Sequence, residues 1–450
     1  MPQPAQPAQP SEVGVLSGGL PLRMLQRPGP GLLSCRLAIR GGSAADPIGR
    51  RGAHQLLAGV MSRGCGDLDA EALADLVEGA GAGLRVEAGE DSLVLALKCA
   101  AEDSEALLPL LLTMVRRPRL EPDQLELERQ LNLQTLQRQR EDPFQLAHDQ
   151  LRHQLYGAGP YGHDPLGVEE ELAAIGAEAL RPLVADLGRQ GAVLVLCGRI
   201  PDGVEGLLEA ALEGRPWPTR LPQPTPLSQP MDLESQPPTN SPLSSPQAPG
   251  RGSLAALAED TEQLVLMLGC ASTPLGHPDT TALRLLQTHL GVGMSSRLFL
   301  TMREEWGLAY DVGVHLPARC GAAPFVLHLS TSAERAAEAT TALLEEWQRL
   351  LEEPLPAEAL ALALAKGRGL DAMARQTCSQ IAERQALLLS HGLPEDHFET
   401  CLQRAEQLTP ADLQAAARRW LPAPSLSLVG PEAAIAAATS AWQGHPLGGG

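Results

Sequence analysis

Apolar residues recur along the chain with two different periods. Between residues 73 and 80 they stand at i, i+3, i+4 and i+7, which predicts a helix with one buried face. Residues 84–86 and 93–97 instead alternate between apolar and polar, which predicts two half-buried strands. Gly89 falls between these strands, so we expect a hairpin that turns there.

The second half of the chain carries the same kinds of pattern. Strand-like segments over 308–316 and 324–331 predict another hairpin, and long amphipathic helices are predicted over 333–352 and 357–390. A further helix is predicted over 46–62. Hairpins mixed with long helices are typical of an α+β fold and not of a doubly wound parallel sheet.

A proline-rich stretch divides the chain. Eleven prolines fall between Pro216 and Pro249, a density that no helix or central strand tolerates, so an extended linker is predicted over 215–252. The predicted organisation is a disordered tail over 1–12, a domain over 13–214, the linker, a domain over 253–440 and a tail over 441–450.

The two halves resemble each other. The segment that begins at Gln145 (Gln-Leu-Ala) precedes the similar one at Gln380 (Gln-Ile-Ala) by 235 positions, and the segments that end at Gly198 and Gly430 share a helix followed by a short strand. Similar order at a nearly constant offset indicates a duplicated domain. We therefore expect two homologous domains, each a mostly antiparallel sheet packed with helices, which face a cavity.

Composition excludes several classes of function. The chain has 450 residues and a net charge of -19, which argues against a nucleic-acid partner. An acidic surface can attract basic peptides, and the alternative is that the charge only keeps the protein soluble. Its eight cysteines form no Cys-x-x-Cys pair and are typical of reduced thiols, so a cytoplasmic location is predicted. The first residues lack a signal-peptide pattern, and no apolar run approaches the ~20 residues that span a bilayer.

The predicted helix over 46–62 carries one histidine, His54. A metal site on one helical face would need a second ligand four residues later and a carboxylate base beside it, but positions 57 and 58 are Leu57 and Ala58. A lone histidine on a helix is usually structural.

The chain as a whole resembles the pitrilysin/insulinase-type zinc metallopeptidases in their two-domain, half-size form. Catalytic members carry an inverted His-x-x-Glu-His zinc motif on a helix in this place. Here the motif reads His54-Gln55-Leu56-Leu57-Ala58, so the resemblance implies that the general base and the second ligand are lost. The family's third ligand, a glutamate, aligns with Gln134. We therefore expect no zinc on this chain and expect the metal in a partner subunit.

A second family motif is retained over 291–310, which reads GVGMSSRLFLTMREEWGLAY. The resemblance implies that Arg303 and Tyr310 bind peptide near the scissile bond and stabilise the oxyanion in a partner's site. It assigns a substrate-binding or shaping role to four further residues: Gly291, Gly293, Ser295 and Ser296. The opposing hypothesis is that this segment is inherited packing.

The sequence therefore predicts a non-catalytic subunit of a heterodimeric zinc endopeptidase. Its partners would be a homologous His-x-x-Glu-His subunit and unfolded peptides, with no nucleic acid and no membrane. The alternative is a structural or assembly subunit with no role in proteolysis. A third hypothesis, an active homodimer with an unrecognised metal site, has only His54 to support it.

Overall fold

A computed structural model of the protein describes residues 13–16, 18–213, 217 and 252–448. The tail predicted over 1–12 lies outside the described residues, and so does the predicted linker except for Trp217 and Gly252. The domain boundaries stay predictions.

The first half of the chain contains six strands and eight α-helices among the described residues. The strands are β1 (Gly14–Val15), β2 (Pro21–Gln26), β3 (Leu32–Arg40), β4 (Gly83–Ala88), β5 (Ser92–Ala100) and β6 (Ala192–Gly198). The helices are α1 (Ala53–Met61), α2 (Ala70–Gly79), α3 (Ser104–Arg116), α4 (Pro122–Gln139), α5 (Pro143–Tyr156), α6 (Glu169–Leu172), α7 (Ala177–Asp186) and α8 (Val204–Ala211).

The second half adds five strands, seven α-helices and one π-helix in its described part. The strands are β7 (Leu254–Ala258), β8 (Gln263–Ala271), β9 (Asp311–His315), β10 (Pro324–Ser332) and β11 (Ser425–Gly430). The α-helices are α9 (Thr280–Gly291), α10 (Ala336–Glu352), α11 (Ala357–Met373), α12 (Cys378–Ser390), α13 (His397–Ala405), α14 (Pro410–Trp420) and α15 (Glu432–Gln443). The π-helix covers Phe299–Glu305.

The strands form two sheets with matching order. The first sheet runs β1-β2-β6-β3-β5-β4 and the second runs β7-β11-β8-β10-β9. In each, one parallel pair (β2 with β6, β7 with β11) adjoins a run of antiparallel pairs. This shared topology confirms the α+β class, the two hairpins and the internal repeat that the sequence predicts.

The chain folds into two compact units. The first comprises the described parts of Met1–Gln134, Asp164–Pro226 and Ala372–His397. The second comprises those of Thr135–His163, Leu227–Asp371 and Phe398–Gly450. Each unit thus contains a segment from the other half of the sequence.

These two segments are equivalent helices that cover a sheet made by the opposite half. Helix α12 packs on β3 and β6 through Ala382, Ala386 and Leu389, and α5 packs on β8 and β11 through Ala147 and Leu151. The Ser427 hydroxyl on β11 also donates to the Ala147 carbonyl oxygen at 2.8 Å. Each half of the chain therefore buries the apolar stripe of one of its helices against the sheet of the other half.

Two predicted helices have different bounds in the structure. The helix predicted over 46–62 begins at Ala53, because Gly52 has φ 103° and the Asp46 carboxylate accepts the Gly52 amide hydrogen bond at 2.7 Å. The helix predicted over 357–390 is two helices, α11 and α12. Thr377 and Gln380 form a capping box at the start of α12, which gives the amides of its first turn side-chain partners.

A helix must be both long and apolar to cross a bilayer. In the described part of the chain, no helix combines these two properties.

Candidate functional site

Helix α1 carries the degenerate zinc motif in the first unit. Leu57 and Ala58 are 0% and 1% exposed, and His54 is 3% exposed. Positions 57 and 58 therefore lie in the apolar core of the unit, where the motif of a catalytic relative would present polar groups.

Asp46 holds His54 in place. The His54 Nδ1 atom lies 2.7 Å from a carboxylate oxygen of Asp46, whose side chain is fully buried. The same carboxylate accepts hydrogen bonds from the backbone amides of Gly52 and His54, at 2.7 and 3.1 Å. Asp46 thus caps the N-terminus of α1. Sequence analysis missed this role, although an Asp-Pro pair shortly before a glycine is a signal for such a turn.

Gln134 lies on α4 with an exposed side chain. On the same helix, Glu128 lies against α1; it is 9% exposed, and a Cβ added at Gly59 would lie 2.4 Å from its carboxylate. Glu128 also accepts a hydrogen bond from Arg63 Nε at 2.6 Å. The structure therefore buries His54 and Glu128 and leaves Gln134 in solvent.

The residues at this place do not fit a zinc ion. A four-coordinate zinc needs three or four nitrogen, sulfur or oxygen donors around one point. His54 is the one nitrogen donor of the motif, and its Nδ1 contact with Asp46 leaves Nε2 for a metal, as in many metal-binding histidines. The two motif positions that follow carry only hydrocarbon, so the motif offers one donor where zinc needs three or four.

The retained motif begins at the end of α9 in the second unit. At Gly291 an added Cβ would lie 2.9 Å from the Val314 side chain on β9, so only glycine allows this close approach. Gly293 has φ +76° with open space around it, so it is required by backbone conformation and not by packing. These two separate requirements explain the spacing Gly-x-Gly.

A buried ion pair anchors the next part of the segment. Arg297 donates through Nε and Nη2 to both carboxylate oxygens of Glu346, at 3.0 and 2.7 Å, and the Glu346 side chain is 2% exposed. The hydrogen bond to Glu346 raises the pKa of Arg297. This pair joins the motif to α10, and no local sequence pattern identified Glu346 as the partner of Arg297.

Arg303 lies within the π-helix, whose wider turn is visible in the Trp306 amide bond to the Thr301 carbonyl at 3.1 Å. Such irregular turns occur frequently at functional sites. The Arg303 guanidinium donates to the Tyr310 carbonyl oxygen at 3.1 Å and lies 4.8 Å from the Tyr310 ring centre. A second ring, Phe299, lies 5.0 Å from it. The structure therefore brings the two predicted residues, Arg303 and Tyr310, together.

The exposure of these residues differs. Tyr310 is 79% exposed and Arg303 is half-buried, so a phenol and a guanidinium are presented at the surface of the unit. Ser295 is exposed, whereas Ser296 is buried, and its amide bonds to the Gly293 carbonyl within the turn. Arg335 supports the far end of the segment, since its guanidinium donates to the Trp306 carbonyl at 3.1 Å. Arg335 lies outside the motif and was missed by sequence analysis.

Two segments of the chain match known families. Residues 31–167 match "Insulinase (Peptidase family M16)", and residues 188–366 match "Peptidase M16 inactive domain". The chain belongs to the M16 peptidase family. The first segment contains the degenerate motif on α1, and the second contains the whole retained motif over 291–310, hereafter the Arg/Tyr segment.

Relatives of this M16 protein are about one-quarter identical to it over the regions that align. An uncharacterized zinc protease of Streptomyces coelicolor is 24% identical over 69% of this chain and 66% of its own length. A zinc protease of Bacillus subtilis, YmxG, is 26% identical over 47% of each chain. The matches thus span about half to two thirds of these two relatives. The YmxG of Helicobacter pylori, described as a non-peptidase homolog, is 24% identical over 61% of this chain.

Solved structures confirm the fold. The M16 inactive domain from Pseudomonas fluorescens superposes with a TM-score of 0.82, at 22% identity, over 93% of this chain and 98% of that one. A protease from Helicobacter pylori superposes with a TM-score of 0.79, at 16% identity, over 93% and 99% of the two chains. Together with the hydrocarbon at positions 57 and 58, the family matches support a non-catalytic M16-like protein.

Proposed function

We propose that this M16 protein is the non-catalytic subunit of a heterodimeric zinc endopeptidase. A homologous subunit with an intact His-x-x-Glu-His motif would supply the metal and the general base. This chain would supply Arg303 and Tyr310 to that site, where they would bind the peptide backbone and stabilise the oxyanion of the tetrahedral intermediate.

The observation that carries the proposal is the contrast between the two motifs. Two positions of the zinc motif are filled by the core residues Leu57 and Ala58. The Arg303 and Tyr310 side chains, in contrast, contact each other and are accessible to solvent. A guanidinium and a phenol are hydrogen-bond donors suited to a developing oxyanion. The segment that carries them is restrained at two other points, where Arg297 bonds Glu346 and where Arg335 bonds the Trp306 carbonyl oxygen.

The first unit offers a second feature that suits an extended peptide. Strand β4 is the last strand of its sheet, and a cavity of about 880 Å³ lies along it. A chain added at such an edge would gain main-chain hydrogen bonds whatever its sequence. This feature supports unfolded peptides as the substrate class, and the net charge of -19 favours basic ones.

One observation favours the alternative, a structural or assembly subunit. Arg303 already has acceptors and rings within its own segment, since it bonds the Tyr310 carbonyl and lies over two aromatic side chains. In that case the pair would stabilise the π-helix and would not reach a substrate.

Reconstitution with an intact M16 subunit separates the two functions. Peptide cleavage would be measured for this chain, for the partner and for their mixture, with the zinc content of each. We expect cleavage in the mixture only, with zinc on the partner only. Arg303→Gln should then lower kcat by about 10²–10³-fold, the usual effect of removing one oxyanion donor.

The matched control is Arg368→Gln. Arg368 is an exposed arginine of the same unit that forms an ion pair with Glu406. It should leave kcat unchanged. Tyr310→Phe, which keeps the ring beneath Arg303 and removes only the hydroxyl, tests the phenol separately. If complexes with Arg303→Gln and Tyr310→Phe assemble and cleave at the wild-type rate, the alternative function replaces the proposed one.

A further inference from the structure

Two cysteines meet where the exchanged helix α12 covers the first sheet. Cys197 lies in β6 and is fully buried, and Cys378 is the first residue of α12 and is half-buried. Cys378 packs against the apolar cluster that contains Cys197, and the two thiols are in hydrogen-bonding contact.

The neighbouring residues fix this approach. Ser34 pairs with Cys197 in the register of β3 and β6, so both side chains are on the sheet face that α12 covers. The Ser34 hydroxyl lies 3.1 Å from the hydroxyl of Ser379, the residue after Cys378. Two consecutive residues of α12 therefore contact two adjacent strands, which leaves Cys378 little freedom to move away from Cys197.

We propose that Cys197 and Cys378 form a disulfide by exchange with a low-molecular-weight disulfide, and that this bond tethers α12 to the sheet. The bond would join residues 181 positions apart in sequence (378 minus 197), which lie in different halves of the chain. It would link α12, from the second half of the chain, covalently to the sheet of the first half.

The thiol–disulfide exchange takes two steps. The Cys378 thiolate attacks one sulfur of the small disulfide, breaks its S–S bond and releases one small thiolate. Cys197 then loses its proton to water or buffer and attacks the Cys378 sulfur of the mixed disulfide, which releases the second small thiol. The protein is oxidised by two electrons and the small disulfide is reduced to two thiols.

The order of these steps follows from the solvent exposure of the two cysteines and from the raised pKa of Cys197. Cys378 is half-buried and is open to a small reagent, whereas Cys197 is not. Burial, and after it the Cys378 thiol, raise the pKa of Cys197 to about 12. Once Cys378 is in the mixed disulfide it no longer bears a negative charge, so its share of this shift disappears and only burial slows the second step.

The chain contains its own control pair. Cys35 on β3 and Cys99 on β5 lie on the opposite face of the same sheet, as their register with Leu97 and Leu33 shows. They are 0% and 2% exposed, so neither offers an entry point, and burial raises the pKa of both thiols. We therefore expect Cys35 and Cys99 to stay reduced, although they lie near each other.

The test uses the full chain with oxidised glutathione at pH 8, followed by alkylation, proteolysis and mass spectrometry. We expect one cross-linked peptide pair, between the peptides of Cys197 and Cys378, that is 2 Da lighter than the sum of the reduced peptides and is released by dithiothreitol. Cys35 and Cys99 should stay alkylatable after denaturation. The oxidised protein should melt about 5–10 °C higher than the reduced one.

Three variants make the outcome decisive. In Cys378→Ser, Cys197 should stay reduced and the rise in Tm should vanish. In Cys197→Ala, the reaction should stop at glutathione on Cys378. Cys35→Ala should still form the cross-link. A native chain that takes up glutathione at Cys378 without ever forming the cross-link, or that leaves both thiols reduced, would overturn the proposal.

Discussion

Arg297 and Glu346 form a bidentate ion pair in which the carboxylate is buried and the guanidinium is about one-third exposed. The pair joins the turn before the π-helix to α10. Because a buried carboxylate without its cation is strongly destabilised, this contact is a principal restraint on the Arg/Tyr segment.

We expect Arg297→Ala to lower the free energy of unfolding by about 3 kcal/mol, since it leaves Glu346 buried without its bidentate partner. Arg349, 4.0 Å from Glu346, offsets a part of this loss. Arg297→Lys should cost less, because a single ammonium keeps the charge and loses the two-point geometry. Urea unfolding measures both. Arg368→Ala, which breaks an exposed pair, should cost at most about 1 kcal/mol, and an equal cost at the two sites would contradict the prediction.

Gly291 and Val314 should behave as a coupled pair. Gly291→Ala places a methyl group 2.9 Å from the Val314 side chain, and overpacking of this kind costs about 1–3 kcal/mol. Val314→Ala should recover part of that loss, so a double-mutant cycle should give a coupling energy of at least about 0.5 kcal/mol. At Gly293 the cost of alanine comes from its positive φ, so Val314→Ala should not reduce it. Rescue of both glycine variants, or of neither, would show that the packing argument is wrong.

Restoring the zinc motif on α1 should fail. Leu57→Glu together with Ala58→His recreates His-x-x-Glu-His, but it puts a carboxylate and an imidazole at positions that are 0% and 1% exposed. We expect no bound zinc and a loss of about 3 kcal/mol or more in unfolding free energy. Leu57→Met is the control and should cost less than about 1.5 kcal/mol. A folded variant with one zinc per chain by elemental analysis would overturn this expectation.

A histidine on α5 should make stability depend on pH. Burial, followed by the charges of Arg152, His315, Arg319 and His328, lowers the pKa of His148 to about 3. Its Nδ1 accepts a hydrogen bond from Arg152 at 3.1 Å, which requires the neutral ring. Because the unfolded chain binds this proton near pH 6.5 and the folded chain does not, stability is full above pH 6.5 and falls as the pH drops toward 3.

The measurement is urea unfolding between pH 7.5 and pH 5. We expect the wild type to lose about 2 kcal/mol more over this range than His148→Gln, which cannot titrate. His153→Gln, an exposed substitution on the same helix, should keep the wild-type slope. Equal slopes for the wild type and His148→Gln would contradict the assignment.

Much of the fold could be predicted from local patterns. The hairpin β4–β5 and the helix α2 follow from residues whose apolar period is 2 or 3.6, and the buried Leu73 and Val77 lie on the predicted stripe. The break between α11 and α12 was missed, although a capping box at Thr377 is a recognisable start signal. Periodicity continues across a short break, so it does not locate the end of a helix.

The candidate site was predicted in part. Arg303 and Tyr310 were identified by resemblance, and the structure places them in contact. Asp46, Glu346 and Arg335 were missed, because a charged residue distant in sequence carries no local sign of the group that it will meet. Their contacts arise only when separate elements pack together.

The sequence by itself determined the elements, the duplicated order and the loss of the general base at position 57 and of a zinc ligand at position 58, because each depends on residue type and on spacing along the chain. Tertiary structure alone decided which sheet each helix covers. The stripes of α5 and α12 specify that one face must be buried, but any apolar sheet face of the right width satisfies that need. The fold placed α12 on β6, and with it Cys378 beside Cys197.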